Sequence, residues 1–352
     1  MTGRIIVPER EVAQMGYGFT PGSGRRDYTM PLDDPLAALF EKWLEMVPTD
    51  KFFGQDKNDE IVNRVAPIIY QAIYETISEL PGIKERMPED INSLAIKNKN
   101  HKNIAYAGLF LSACYNAIES PEIVFDVVEA GDFMLDFIGY RLSKDKTLFV
   151  KSDTGWFTGM ESEGSVINYA KVEMGFGDGS KGNLVNYGTV RHMANGASGR
   201  VLNYGRAHHL GSLVSGIVIN FGKVLYQAIF NRNISINFNF AKQFGENCNG
   251  VNINFGRTRQ FGKDSRRSVL INAGNANEMG FGVEDSDHVF SIDLSKPTAR
   301  RQRKIKNYMK ELKQKLEAYK NSGYPECLGV FDIVEQEIVD MEKFEQKIRG
   351  MI

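Results

Sequence analysis

Cysteine is scarce in this 352-residue sequence: Cys114, Cys248 and Cys327 stand far apart, with no CxxC pair among them. That excludes a disulfide framework and leaves a zinc site without its usual ligand spacing, so the three thiols read as reduced, packed side chains. Long apolar runs are missing as well. The stretch from Ile104 to Tyr115 is far short of the roughly 18–20 residues that a membrane span needs. A basic, apolar, small-residue leader pattern is absent from the N-terminus, and the expectation is a cytoplasmic protein with no membrane segment. Phosphate-loop chemistry has no support either. Gly175 to Gly182 and Gly16-Tyr17-Gly18 are glycine-rich, but neither lies in the strand, loop and helix context with GK[ST] that gives such a motif its meaning.

The net charge of −1 conceals a segregation. Residues 1–163 carry 17 basic and 26 acidic side chains, residues 164–283 carry 13 and 5, and residues 284–352 carry 13 of each, giving −9, +8 and 0. A balanced chain divided in this way is suited to electrostatic docking, on itself or on an anionic partner.

The middle third is built on a repeat. Asn168-Tyr169, Asn186-Tyr187, Asn203-Tyr204, Asn220-Phe221, Asn237-Phe238, Asn254-Phe255 and Asn272-Ala273 recur at spacings of 18, 17, 17, 17, 17 and 18. An aliphatic residue precedes each Asn (Ile167, Val185, Leu202, Ile219, Ile236, Ile253, Ile271), and glycine, alanine or asparagine follows the aromatic position. A 17-residue period is too short for a helical hairpin but holds two or three short strands with tight turns, so residues 164–283 read as a β-solenoid of seven or eight coils. Period-2 alternation puts the aliphatic and aromatic columns on one side of a strand, where both could line a dry interior. The Asn column is expected to stack as a hydrogen-bonded ladder, with positive φ at the residue two places later. A further apolar column lies seven places after the Asn (Met193, Leu210, Phe244, Phe261, Met279), usually followed by a small residue that allows the next turn; Gln227 interrupts it.

The flanks read as helical, giving an α+β chain overall. After an extended arm over residues 1–30, a helical domain over 31–150 is expected to hold four helices: one begins at Asp33-Asp34-Pro35, the next two span about 59–80 and 103–118, and a fourth runs from Pro121 to about Leu142. Residues 295–352 read as a helical hairpin with Ile305, Met309, Leu312 and Leu316 on one apolar stripe. These helices would cap the rod, whose terminal strands otherwise offer unpaired edges.

The candidate site is a face of the rod. Residues three and five places after each Asn should point outward, and among them stand Lys171, Arg191, Arg206, Lys223, Lys242, Arg257 and Arg259, with Glu173 as the one acid. Coils spaced by about 4.8 Å turn this pattern into a basic sheet suited to a polyanion. The expected function is a non-catalytic scaffold that binds nucleic acid, in the form of structured RNA or a ribonucleoprotein, with no cofactor and no metal. The scarcity of exposed aromatics, Phe240 and Leu225 being the only large apolar residues on the face, argues for recognition through phosphates and shape.

Two alternatives compete. A homo-oligomer is expected in either case, through the C-terminal hairpin or through Glu122, Asp126, Glu129, Asp132 and Asp136, which would line the fourth helix and dock on the basic sheet of another copy; the first alternative is a self-assembling structural protein built on that second contact. His192 and His209, one rung apart, hint at a β-helix acyltransferase, without a nucleophile or cofactor loop to accompany them. The bactofilins are similar in having a short-period β-rod that polymerises, but their glycine-aliphatic pattern differs from these coils.

Overall fold

The structure, a computed structural model, describes residues 34–46, 59–127, 134–231, 234–248, 250–265, 269–272, 274–279 and 288–291. All of them belong to one compact unit, Tyr28–Ser291. The arm expected over 1–30 and the hairpin expected over 295–352 lie outside the described residues.

Helix α1 (Pro35–Met46) starts at Asp34, whose Oδ1 accepts the Leu36 N–H at 2.9 Å and the Arg86 guanidinium at 2.8 Å. Its Leu36, Phe40 and Leu44 are buried, and Phe40 meets Phe110 edge-on at 5.1 Å. Helix α2 (Asp59–Ser78) packs along α4 (Ala107–Ala117), which is entered through a 3-10 turn at Ile104–Tyr106. Nine consecutive residues of α4, Ala107 to Tyr115, are buried, so it forms the centre of the helical layer. Between them, α3 (Pro88–Lys97) is a helix that sequence periodicity did not announce. It is short, with Ile91, Leu94 and Ala95 as its buried apolar residues.

A fourth helix does not form at Pro121. Glu122–Phe125 is strand β1, in which Ile123 and Phe125 are buried alternately with half-buried neighbours, a period of 2 rather than 3.6. Further on, Phe137, Gly139 and Arg141 take φ of 64°, 73° and 52°, which no right-handed helix accommodates. The acidic strip expected on that helix is therefore dispersed. Glu122 is on β1, and Asp136 is buried with Oδ1 accepting the Trp156 N–H at 2.7 Å; Glu129 and Asp132 lie outside the described residues.

The solenoid consists of two parallel sheets. Sheet A runs β1, β2 (Thr147–Val150), β4 (Ser165–Asn168), β6 (Asn183–Asn186), β8 (Arg200–Asn203), β10 (Ile217–Asn220), β12 (Ile234–Asn237), β14 (Val251–Asn254), β16 (Val269–Asn272) and β18 (His288–Ser291). Sheet B stacks β3 (Thr154–Trp156), β5 (Lys171–Met174), β7 (Thr189–Met193), β9 (Arg206–Leu210), β11 (Lys223–Gln227), β13 (Phe240–Phe244), β15 (Arg257–Phe261) and β17 (Asn275–Met279). Each coil from β2 and β3 to β16 and β17 contributes one strand to each sheet, and β1 and β18 extend sheet A alone. The sheets thus begin before the repeat is recognisable, at Glu122, and continue past it to Ser291. At the N-terminal edge α3 supplies the cap: Asn92 donates from Nδ2 to the Val124 carbonyl of β1 at 2.7 Å and accepts the Tyr115 hydroxyl at 2.6 Å. A side-chain amide thus satisfies an edge carbonyl that would otherwise be left without a partner.

The Asn file is continuous. Asn168, Asn186, Asn203, Asn220, Asn237 and Asn254 each donate from Nδ2 to Oδ1 of the Asn one coil on, over 2.8–2.9 Å, ending at Asn272. The same Oδ1 also accepts the N–H two residues later, as from Gly188 at 3.1 Å and Gly222 at 3.0 Å. This double duty explains why the residue is Asn: it needs a donor upward, and an acceptor both downward and to its own turn.

That arrangement puts the Asn inside the rod, beside Val166, Leu184, Val201 and Val218 two places earlier, and reverses the expected facing of the neighbouring columns. The aliphatic column from Ile167 to Ile253 and the aromatic column do share one side of the strand, but it is the outer side of sheet A. The six rings Tyr169, Tyr187, Tyr204, Phe221, Phe238 and Phe255 are half-buried and stack face to face, with centroids 4.9–5.2 Å apart and planes within 9°.

The glycines after the rings serve close approach rather than positive φ. A Cβ on Gly205 would run into the Gly188 carbonyl oxygen, and one on Gly222 into that of Gly205. Positive φ falls instead on the small residue that follows the inward apolar column: Ala194 (60°), Gly211 (71°), Ala228 (55°), Gly245 (74°) and Gly262 (73°).

Beyond the Asn file, polar residues stand at some positions where other coils carry apolar side chains. Gln227, Ser235 and Asn252 are all fully buried where other coils carry apolar side chains, and Gln227 Oε1 and both Asn252 amide atoms have no hydrogen-bond partner. Asn252→Val, which restores the residue type of Val201 and Val218, is expected to stabilise the fold by about 1–3 kcal/mol, the cost of leaving a buried polar group unsatisfied. A higher urea midpoint with an unchanged m-value is the observation that checks it.

Candidate functional site

Sheet B carries the outward columns where the repeat placed them. Its strands β7, β9, β11, β13 and β15 share one burial pattern: exposed, buried, exposed, half-buried, buried. Two inward positions three residues apart require a bend between them, and the bend adds a third, half-buried column beside the two exposed ones.

Lys171, Arg191, Arg206, Lys223, Lys242, Arg257 and Arg259 are all exposed. In the first column Lys171 is paired in register with Thr189, Thr189 with Arg206, Arg206 with Lys223, Lys223 with Phe240, and Phe240 with Arg257. Arg206 and Lys223 are therefore direct neighbours, and Thr189 and Phe240 space the remaining cations. Glu173, Arg191, His208, Leu225, Lys242, Arg259 and Asn277 form the second column.

Lys171 stands apart because its Nζ pairs with Glu173 at 2.6 Å, which offsets its charge. No carboxylate among the described residues pairs with Arg191, Lys223, Lys242, Arg257 or Arg259. All five are exposed.

The half-buried column is a ladder of rings and amides. His192 and His209 are in register with centroids 4.8 Å apart; His209 stacks on Tyr226 at 4.7 Å and 15°. Gln243 donates to Gln260, and Gln260 donates to Glu278 at 2.9 Å. His208, from the exposed column, lies 4.7 Å from His209 and 5.5 Å from Tyr226. Burial, with repulsion from His192, His208 and Arg191, pushes His209 down to about 4, and burial with repulsion from Arg191 and His208 lowers His192 as well. Both rings are thus held neutral at neutral pH. The repeat placed His192 above His209, but it did not reveal that His208 completes a cluster of three, because the bend that turns both columns outward leaves no mark in the hydrophobic pattern.

Among the described residues, no group of three or more His, Cys, Asp or Glu side chains has a metal-binding arrangement, and no helix is long and apolar enough to cross a membrane. Cys114 and Cys248 are free and buried, and burial pushes the Cys248 thiol up to about 12. No family model, no curated protein and no solved structure matches this chain.

Proposed function

We propose that the chain is a non-catalytic scaffold whose sheet B presents a rigid basic face to an extended anionic partner, foremost nucleic acid in the form of structured RNA or a ribonucleoprotein. The observation that carries this reading is the set of five exposed cations on β7, β11, β13 and β15 of one sheet, none of them paired with a carboxylate among the described residues. Register sets the strands that carry them one or two coils apart, at about 4.8 Å per coil, so a phosphate backbone can lie across several of them without the protein reorganising. Exposed apolar side chains on the face are few, Phe240 and Leu225 being 39% and 37% exposed. Recognition therefore runs through charge and shape more than through stacking of splayed bases.

Titration of RNA, duplex DNA and heparin at 50 and 200 mM salt tests the reading. Neutralising about five phosphates gives a steep negative slope of log K against log salt, on the order of −4. Indifference to all three polyanions at 50 mM would remove nucleic acid as the partner.

A further inference from the structure

We propose that His192, His208 and His209 form a proton-coupled phosphate seat within the basic face, so that a phosphodiester backbone is bound with uptake of protons and more tightly at pH 5.5 than at pH 7.5. The inference rests on the proposed binding of a polyanion by sheet B, and adds what regulates it.

Three imidazoles from adjacent strands β7 and β9 stand with centroids 4.7–4.8 Å apart in sequence, His192 to His209 to His208. Charging one ring raises the cost of charging the next. The surrounding charges do not relieve that cost. On β7 the neighbour is Arg191, on β9 Arg206, and on β11 Lys223; on β5 the single carboxylate, Glu173, is engaged by Lys171 at 2.6 Å. Tyr226 stacks on one face of His209. The face thus lacks the negative charge that would stabilise imidazolium, and a bound phosphate supplies it. The lowered titration of His209, to about 4, and of His192 agrees with this geometry.

The sign follows from linkage. In the free protein burial and the neighbouring positive charge disfavour the charged form of His192 and His209; a phosphate beside them raises their proton affinity, so the bound state holds more protons and affinity rises as pH falls. One proton taken up per binding event gives at most tenfold per pH unit, hence about 10- to 100-fold between pH 7.5 and 5.5.

The test measures RNA and heparin affinity at both pH values for the wild-type chain and for the variant H192Q/H208Q/H209Q. Glutamine suits this ladder because Gln243 and Gln260 already occupy it. The expected result is a gain of at least about tenfold at pH 5.5 for the wild type and little gain for the variant. Equal gains in both proteins, or binding at pH 7.5 with no gain on acidification, would overturn the histidine seat and leave the basic face standing. Absence of binding at either pH would overturn both readings.

Discussion

Asn220→Asp is expected to destabilise the solenoid by about 3–5 kcal/mol at pH 7.5, the usual loss when a charge is left buried without a partner. Asn220 is fully buried; its Oδ1 accepts from Asn203 Nδ2, and its Nδ2 donates to Asn237 Oδ1, both at 2.9 Å. A carboxylate keeps the first bond, but in place of the second it sets two acceptors against each other. Burial raises the pKa of such a group, so the loss is greatest where the folded variant must carry the charge. It shrinks as pH falls towards 4, where the protonated acid can donate to Asn237 and the unfolded chain also begins to protonate. Urea unfolding followed by circular dichroism at pH 7.5 and 4.5 reads both effects. Equal stability of variant and wild type at pH 7.5 would mean that the amide file does not hold the coils.

The two properties of the Asn column explain how much of this fold was legible. Its recurrence at 17 and 18 residues revealed the rod and its register because stacking demands identical chemistry on every rung, and the structure returns the file as six consecutive bonds. Its facing was not legible. Tyr187 and Leu202 share the side of sheet A opposite the Asn file, where Leu202 is buried and Tyr187 half-buried, because each Asn must fold inward to reach both its neighbours and its own turn. Gly205 was likewise read for its conformational freedom, whereas the preceding coil's backbone leaves no room for a Cβ there.

The coils before Ser165 were missed for a related reason. β1 and β2 carry Phe125 and Val150 where later coils carry Asn, so they pair in the sheet without displaying the repeat. In the candidate site, the alternation in β5 through β15 is enough to place the seven basic residues outside. It could not show that Lys171 is neutralised by Glu173, or that a bend brings His208 against His209, because both depend on side-chain directions rather than on spacing.

The most direct test of the basic face is charge reversal across four coils. Arg206, Lys223, Arg257 and Arg259 are exposed and lie on β9, β11 and β15, where none supports the packing of the interior. Changing all four to Glu removes four phosphate contacts and replaces each with repulsion. The salt slope is expected to lose most of its steepness, and affinity at 50 mM salt to fall by about a thousandfold or more. The measurement is an RNA titration of wild type and quadruple variant at 50 mM salt, with circular dichroism and thermal unfolding recorded on the same samples. The predicted result is loss of binding by a variant whose β-signal and melting midpoint match the wild type; RNA affinity undiminished in that intact variant would contradict the assignment of sheet B as the binding face.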